Sequence, residues 1–252
     1  MDKQHVSPCF LPGTRLGNIM FTLAAACAHA RRIGVECHVP WSYNDASMML
    51  RSRLGNWVLP STPCGVNEPV AWQEPSFSYH SIPLHITRGS LCGYFQSARY
   101  FEDQETFIRS LFAPFIVEKE PRTAGIHIRL GDYRELRHKH RVQDIDFLQR
   151  AFAHISPDVN RLILFSDEPD EAAAMLASMP EFSRFTLEID RSGPCEALRR
   201  MTAMEELIIS CSSFSWWGAW LGQTRKVIVP GNWFVGVIEN YQDVYLPHWI
   251  KL

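Results

Sequence analysis

Gly125-Ile126-His127-Ile128-Arg129-Leu130-Gly131-Asp132-Tyr133 is the stretch that decides how the second half of this chain is read. Gly125–Leu130 is an apolar run too short for a helix, and it stops at a glycine, so it reads as a strand entering a tight turn. The pattern then repeats. Asp144–Ile155 places Phe147, Leu148, Ala151, Phe152 and Ile155 on one helical face. Strand Arg161–Phe165 leads to helix Asp170–Ser178, strand Phe185–Ile189 to helix Cys195–Met204, and strand Leu207–Ser210 to helix Phe214–Leu221. Strand Val227–Val229 closes the series. Short apolar strands alternating with helices specify a parallel sheet covered on both faces, a doubly wound α/β domain.

Upstream the pattern is less regular. The apolar segment Pro8–Leu11 runs into Gly13-Thr14-Arg15-Leu16-Gly17-Asn18 and then an alanine-rich run with Phe21, Ala24, Ala25 and Ala28 at helical spacing. That is strand, glycine loop, helix. Val35–Trp41 reads as a second strand, Ser90–Phe95 as another and Phe101–Phe112 as a helix. Between them Ser42–Ile86 reads as irregular, because Pro60, Pro63, Pro69, Pro75 and Pro83 break any long element. The charged, proline-punctuated stretch around Pro114–Ala124 marks the crossover, giving domains at 1–118 and 119–252.

In an open parallel sheet, ligands bind beyond the carboxyl ends of the strands. Three polar clusters fall there: His127 to Asp132, Ser166-Asp167-Glu168, and Cys211-Ser212-Ser213-Phe214-Ser215-Trp216-Trp217. His127 and Arg129 are two apart and share a strand face. Gly131 allows a close turn past a ligand. The Arg129 guanidinium, a permanently charged fork of donors, suits a phosphate; its bland alternative is a pair with Asp132 that fixes the turn. Ser212 or Ser213 suits a helix N-cap, and the amides of that helix start suit a phosphate oxygen. Trp216, Trp217 and Trp220 read as packing residues. Asp144-Ile145-Asp146 has the D-x-D form of some metal-dependent sugar transferases, yet it opens a helix, where aspartates cap. The basic run Arg134–Arg141 reads equally as an anion attractor or a solvated loop. The glycine loop Gly13–Asn18 is neither a Walker motif nor G-x-G-x-x-G.

Composition excludes several classes. With 25 basic and 27 acidic residues the net charge is −2, so no basic excess exists to track a nucleic acid. The seven cysteines (Cys9, Cys27, Cys37, Cys64, Cys92, Cys195 and Cys211) form no C-x-x-C pair, which points away from zinc and thioredoxin-like chemistry and towards reduced thiols. The longest early apolar run, Ile19–Ala30, is shorter than the ~20 residues of a membrane span and is not preceded by a basic leader. The expectation is a cytoplasmic protein with at most a peripheral membrane association.

Five segments, in order, then fit one family. Gly13-x-x-Leu16-Gly17-Asn18-x-Met20-Phe21, Gly93-Tyr94-Phe95-Gln96-Ser97-x-x-Tyr100-Phe101, His127-Ile128-Arg129-Leu130-Gly131-Asp132-Tyr133, Phe165-Ser166-Asp167-Glu168 and Ser213-Phe214-Ser215-Trp216-Trp217-x-Ala219-Trp220-Leu221 resemble the signatures of glycosyltransferase family eleven, the α-1,2-fucosyltransferases. The resemblance implies a GT-B-like α/β fold of two Rossmann-type domains with parallel sheets, the donor held by the carboxy-terminal one. It implies inverting transfer of fucose from GDP-fucose to a galactose-terminated oligosaccharide acceptor, without a metal or other cofactor. Gly17, Asn18, His127, Arg129, Ser166, Asp167, Ser212, Ser213 and Phe214 become the donor-binding candidates. Arg129 becomes the stabiliser of the leaving diphosphate, with Asp132 as candidate base. Three positions depart from the pattern: Leu130 replaces a second arginine, Glu168 a second aspartate, and Ile19 a glutamine. Transfer of another nucleotide sugar, or a non-catalytic glycan- or nucleotide-binding role, stays open as an alternative.

Overall fold

The structure, a computed structural model, describes residues 4–41, 43–54, 59–61, 68–136, 138–139, 141–236 and 238–252. Cys64, Pro63 and two members of the basic run, Arg137 and His140, lie outside the described residues. The chain divides into two compact units: 1–114 with 240–246, and 115–239 with 247–252.

In the first unit, β1 (His5–Cys9) leads into α1 (Leu16–Ile33), then β2 (Glu36–Cys37), α2 (Asp45–Leu54), β3 (Val70–Gln73), β4 (Gly89–Cys92) and α3 (Glu105–Leu111). The four strands are parallel in the order β2-β1-β4-β3. α1 is buried from Leu16 to Ala30 except at Asn18, and its alanines let neighbours approach it from all sides. It ends where Arg31 and Arg32 meet the negative end of its dipole and Gly34 adopts φ 72°.

This unit departs from the sequence reading in three places. The segment read as irregular holds α2 and β3, because its prolines all lie beyond Leu54 and leave 45–54 uninterrupted. The strand expected at Val35–Trp41 shrinks to two residues plus a bridge from Val39 to Ser61; Pro40 has no amide with which to extend it. The helix expected at Phe101–Phe112 is a 3₁₀ turn, Glu102–Gln104, followed by α3.

The second unit runs β5 (Glu120–Ile128), α4 (Gly131–Glu135), α5 (Ile145–His154), β6 (Arg161–Ser166), α6 (Pro169–Ala177), β7 (Thr186–Ile189), α7 (Pro194–Thr202), β8 (Met204–Ile208), α8 (Ser213–Gly222), β9 (Lys226–Val229) and β10 (Ile250–Lys251). All six strands are parallel, ordered β10-β9-β8-β5-β6-β7. The series therefore does not close at Val229: the chain end adds β10 beside β9. The charged stretch expected to mark the crossover contains the division between the units, after Pro114, and its last residues, 120–124, open β5.

Alternation along β5 sorts its side chains. Ala124, Ile126, Ile128 and Leu130 enter a core shared with Phe147, Leu148, Ala151 and Phe152 of α5 and with Ala172 and Leu176 of α6. Gly125, His127 and Arg129 take the other face. A Cβ at Gly125 would lie 2.6 Å from Leu207 and 2.9 Å from Met204. On α8, Trp216 and Trp217 are fully buried, and Gly218 sits so close to Met201 of α7 that a Cβ would come within 2.7 Å of it. Among the described residues no helix is long and apolar enough to cross a membrane.

Candidate active site

The strand order of the second unit fixes where its site lies. From β5 the chain builds outward through β6 and β7, then returns to lay β8, β9 and β10 on the opposite side. The order reverses between β5 and β8. Helices that follow the two strands diverge at such a point and leave a crevice at their carboxyl ends. The residues leaving β5 and β8 there are His127–Asp132 and Ser210–Ser213.

His127 Nδ1 lies 2.7 Å from Ser210 Oγ, which ties the two strand ends together. The imidazole is 4% exposed, and its ring lies 5.7 Å from that of Phe214. Burial pulls its pKa down to about 4, only partly opposed by the nearby Asp167 carboxylate. It is therefore neutral at pH 7.

Arg129 is held by two carboxylates. Its Nη2 and Nε donate to Asp132 Oδ1 at 2.7 and 3.0 Å, and Nε lies 3.2 Å from Asp167 Oδ2. The guanidinium carbon stands 5.7 Å from the centre of the Tyr133 ring. Nη1 has no partner among the described residues, so one edge of the fork is braced and the other is available. Asp167 also accepts the Leu130 N–H at 3.0 Å through Oδ1. Gly131 has a purpose the sequence reading did not give it: a Cβ there would stand 2.5 Å from Asp167 Oδ2. The glycine admits a protein carboxylate.

From the other side, Tyr133 of α4 donates to the Cys211 carbonyl at 2.8 Å, and burial raises the phenol's pKa so that it keeps its proton. Ser212 is the N-cap of α8, accepting from the Phe214 N–H at 3.3 Å, and Ser213 opens the helix. Ser215 turns inward, its hydroxyl donating to the Ser210 carbonyl at 3.4 Å. The helix start carries no acidic residue, so its dipole faces the crevice unopposed. Ser166 accepts the Glu168 N–H at 3.1 Å and forms the turn into α6.

The structure thus gathers His127, Arg129, Asp132, Ser166, Asp167, Ser212, Ser213 and Phe214 at the ends of β5, β6 and β8. Leu130 is 5% exposed and faces the α5–α6 core, so its exchange for the motif's arginine alters packing. Asp144 accepts the Phe147 N–H at 2.8 Å as the N-cap of α5, and Arg141 pairs with it at 3.3 Å. Arg134 pairs with Glu171.

Gly17 and Asn18 belong to the first unit, inside the first turn of α1. That sheet reverses between β1 and β4, and the two amino-terminal sequence motifs meet there. Asn18 Oδ1 accepts from Gln96 Nε2 at 2.9 Å, and Thr22 Oγ1 lies 3.1 Å from the Asn18 carbonyl and 3.3 Å from that of Gly93. Ser210 and Tyr133 join the cluster of the second unit, and Gln96 joins Asn18 in the first, through contacts that residue type does not announce. Only pairing each strand end with its neighbour's would have revealed Ser210.

Comparison with known proteins adds the family. Residues 67–252 match the profile of Glycosyl transferase family 11. The O-antigen biosynthesis glycosyltransferase WbnK of Escherichia coli is 28% identical over 201 residues, covering 69% of this chain and 64% of that protein. An alpha-1,2-colitosyltransferase of Escherichia coli is 25% identical over 191 residues, covering 64% and 61%. The chain therefore spans less than two thirds of either relative's length. Among solved structures, the fucosyltransferase NodZ from Bradyrhizobium aligns with a TM-score of 0.51 at 12% identity, covering 86% of this chain and 93% of that one. NodZ alpha-1,6-fucosyltransferase co-crystallised with GDP gives 0.50 at 12% identity, covering 86% and 92%. At that identity the likeness concerns the fold: two Rossmann-type parallel α/β units on the GT-B-like plan. With its profile matched over most of its length, the chain belongs to glycosyl transferase family 11.

Proposed function

We propose that this chain transfers fucose from GDP-fucose to the 2-hydroxyl of a terminal galactose, with inversion and without a metal ion or other cofactor. One observation carries the reading: the half-braced Arg129 guanidinium and the open start of α8 lie at the same strand-order reversal. Family membership and a fold shared with a GDP-bound fucosyltransferase support it.

In the proposed reaction the acceptor oxygen attacks the anomeric carbon, its proton passing to solvent water, as the bond from that carbon to the diphosphate breaks. Negative charge grows on the departing phosphate. The free edge of Arg129 and the first-turn amides of α8 receive it, with Ser212 and Ser213 shaping that helix start. Donors fixed in advance are typically worth about 2.7–4 kcal/mol each in a transition state. Neutral His127 and Phe214 border the donor, and Ser166 and Asp167 hold the neighbouring turn. Gly17 and Asn18 of the first unit remain donor-binding candidates by resemblance alone. The Arg129–Asp132 pairing favours a bracing role for Asp132 over that of base, since one of its oxygens already takes two N–H groups.

The test is GDP release with GDP-fucose and a panel of β-galactosides, with and without EDTA. Release that needs the galactoside and ignores EDTA is the expected result; no release with any galactoside overturns the reading. A second donor belongs in the panel, because the alpha-1,2-colitosyltransferase relative favours a deoxy analogue of fucose on the same scaffold. Ligand binding without any GDP release would instead indicate a glycan- or nucleotide-binding module.

A further inference from the structure

The first unit carries a second cluster that the donor chemistry does not use. Beyond the carboxyl end of β3, Ser76 and Ser78 place their hydroxyls 2.8 Å apart, and each lies close to His80 Nε2, at 3.1 and 3.2 Å. Between them Phe77 stacks on Tyr94, which follows β4, with ring centres 5.3 Å apart and planes within 16°. Both rings are partly exposed, and the Tyr94 hydroxyl has no hydrogen-bond partner among the described residues.

The cluster is held rigidly. Glu74 Oε2 accepts the Tyr94 and Phe95 N–H groups at 2.8 and 2.9 Å, fixing a turn in which Phe95 takes the left-handed value φ 52°. Gly93 makes this approach possible, since a Cβ there would lie 2.5 Å from Glu74 Cβ. Trp72 stacks on Phe95 from the strand side, at 5.9 Å. The Tyr79 amide, in the same loop, is anchored on Asp243 at 2.7 Å.

The chemistry selects the ligand. The hydroxyls and the imidazole both donate and accept, and Arg99, a cation packed against this loop, lies over Tyr79 and pairs with Asp243, which disfavours a phosphate. Two stacked rings offer an apolar plane beside that polar edge. A neutral hexopyranose has both complements: one face of C–H groups and a rim of hydroxyls. The location, beyond the strand ends of a parallel sheet, is where such a sheet takes its ligand.

We propose that Tyr94, backed by Phe77, and the Ser76–Ser78–His80 cluster form the subsite for the acceptor's terminal sugar. The assignment rests on the transferase reading above and adds the side chains that would select the acceptor. The apolar face of the pyranose lies on the Tyr94 ring, and its hydroxyls meet Ser76, Ser78 and His80.

Saturation-transfer NMR with lactose on the full chain tests this without any donor, alongside calorimetric GDP binding. The unmodified chain gives transfer to the galactose ring protons. Tyr94→Leu and the double variant Ser76→Ala/Ser78→Ala each lower lactose affinity and raise the acceptor KM about tenfold, with GDP affinity retained. Tyr94→Phe keeps the stacked ring and stays within about threefold of the unmodified chain, which separates loss of the platform from misfolding. Lactose transfer that persists in both weakened variants overturns the subsite, as does its absence from a native chain that binds GDP. Loss of GDP affinity together with lactose affinity overturns it as well. Failure of the donor reading shows separately, as a native chain that binds lactose but not GDP.

Discussion

His127 Nδ1 and Ser210 Oγ, 83 residues apart in sequence, stand 2.7 Å apart and join β5 to β8 at the point where the strand order reverses. The imidazole that makes this link is almost wholly buried, so protonating it in the fold is costly. Its pKa falls from 6.5 to about 4.

The pH consequence has a definite sign. Between pH 6.5 and 4 the unfolded chain protonates this histidine while the folded chain does not, so stability falls as the solution is acidified. At about 1.4 kcal/mol per unit, the loss is on the order of 3 kcal/mol by pH 4. Urea unfolding at pH 7 and pH 4.5 measures it against His127→Gln, whose stability should vary less with pH. Parallel profiles for the two proteins would remove the buried-histidine account.

Arg129→Ala should lower GDP release by 10²-fold or more while leaving the thermal unfolding temperature within a few degrees, because the guanidinium pairs with Asp132 and Asp167 beyond the strand end and is not part of the apolar core. Arg129→Lys should not restore it: one ammonium cannot hold Asp132 and Asp167 and still offer a fork to phosphate. An alanine variant with native activity would remove Arg129 from the chemistry.

Asp132→Asn separates bracing from proton transfer. A brace predicts a lowered kcat whose acid limb is unchanged, and a base predicts that the acid limb disappears. The pairing of Asp132 with Arg129 leads us to expect the first. The pH–rate profile of the variant decides it.

Gly131→Ala places a methyl group 2.5 Å from Asp167 Oδ2, so Asp167 must give up the Leu130 N–H or its contact with Arg129. The expected cost is about 1–3 kcal/mol, with reduced activity. In an Asp167→Ala background the same substitution should cost little, since the clash is gone. A double-mutant cycle by chemical denaturation measures the coupling, and additive effects would refute the contact.

Glu206, fully buried in β8, accepts from the Ser156 N–H at 2.9 Å and the Ser156 hydroxyl at 2.5 Å, and pairs with Arg225 at 2.8 Å and Lys226 at 3.3 Å. Glu206→Ala removes the acceptor that these four groups share, leaving the Ser156 N–H without its carboxylate while Lys226 keeps the His154 carbonyl and the Ser156 hydroxyl at 2.8 Å. A loss of about 3 kcal/mol is expected in denaturant unfolding, with GDP affinity intact. Native stability in this variant would show that water replaces the carboxylate.

The plan of the second unit is legible in the amino-acid order, as are most of the residues that its strand ends bring together. Apolar runs such as Arg161–Phe165 are too short for helices, and alternation along Gly125–Leu130 separates the core face from the site face using local information only. Helix ends were legible for the same reason: Asp144 and Ser212 cap the turns they begin, and capping is an interaction across two or three residues. Register and strand order are not local. Nothing in residues 125–133 says that β8, and not β7, lies beside β5, and with that neighbour come Ser210 and the crevice. Nor does the order of residues show that 240–246 pack with the first unit, where Asp243 holds the Tyr79 amide, or that Gly131 makes room for Asp167. Those relationships join residues far apart in the chain, and they exist only once the burial of both sheets has brought the segments together.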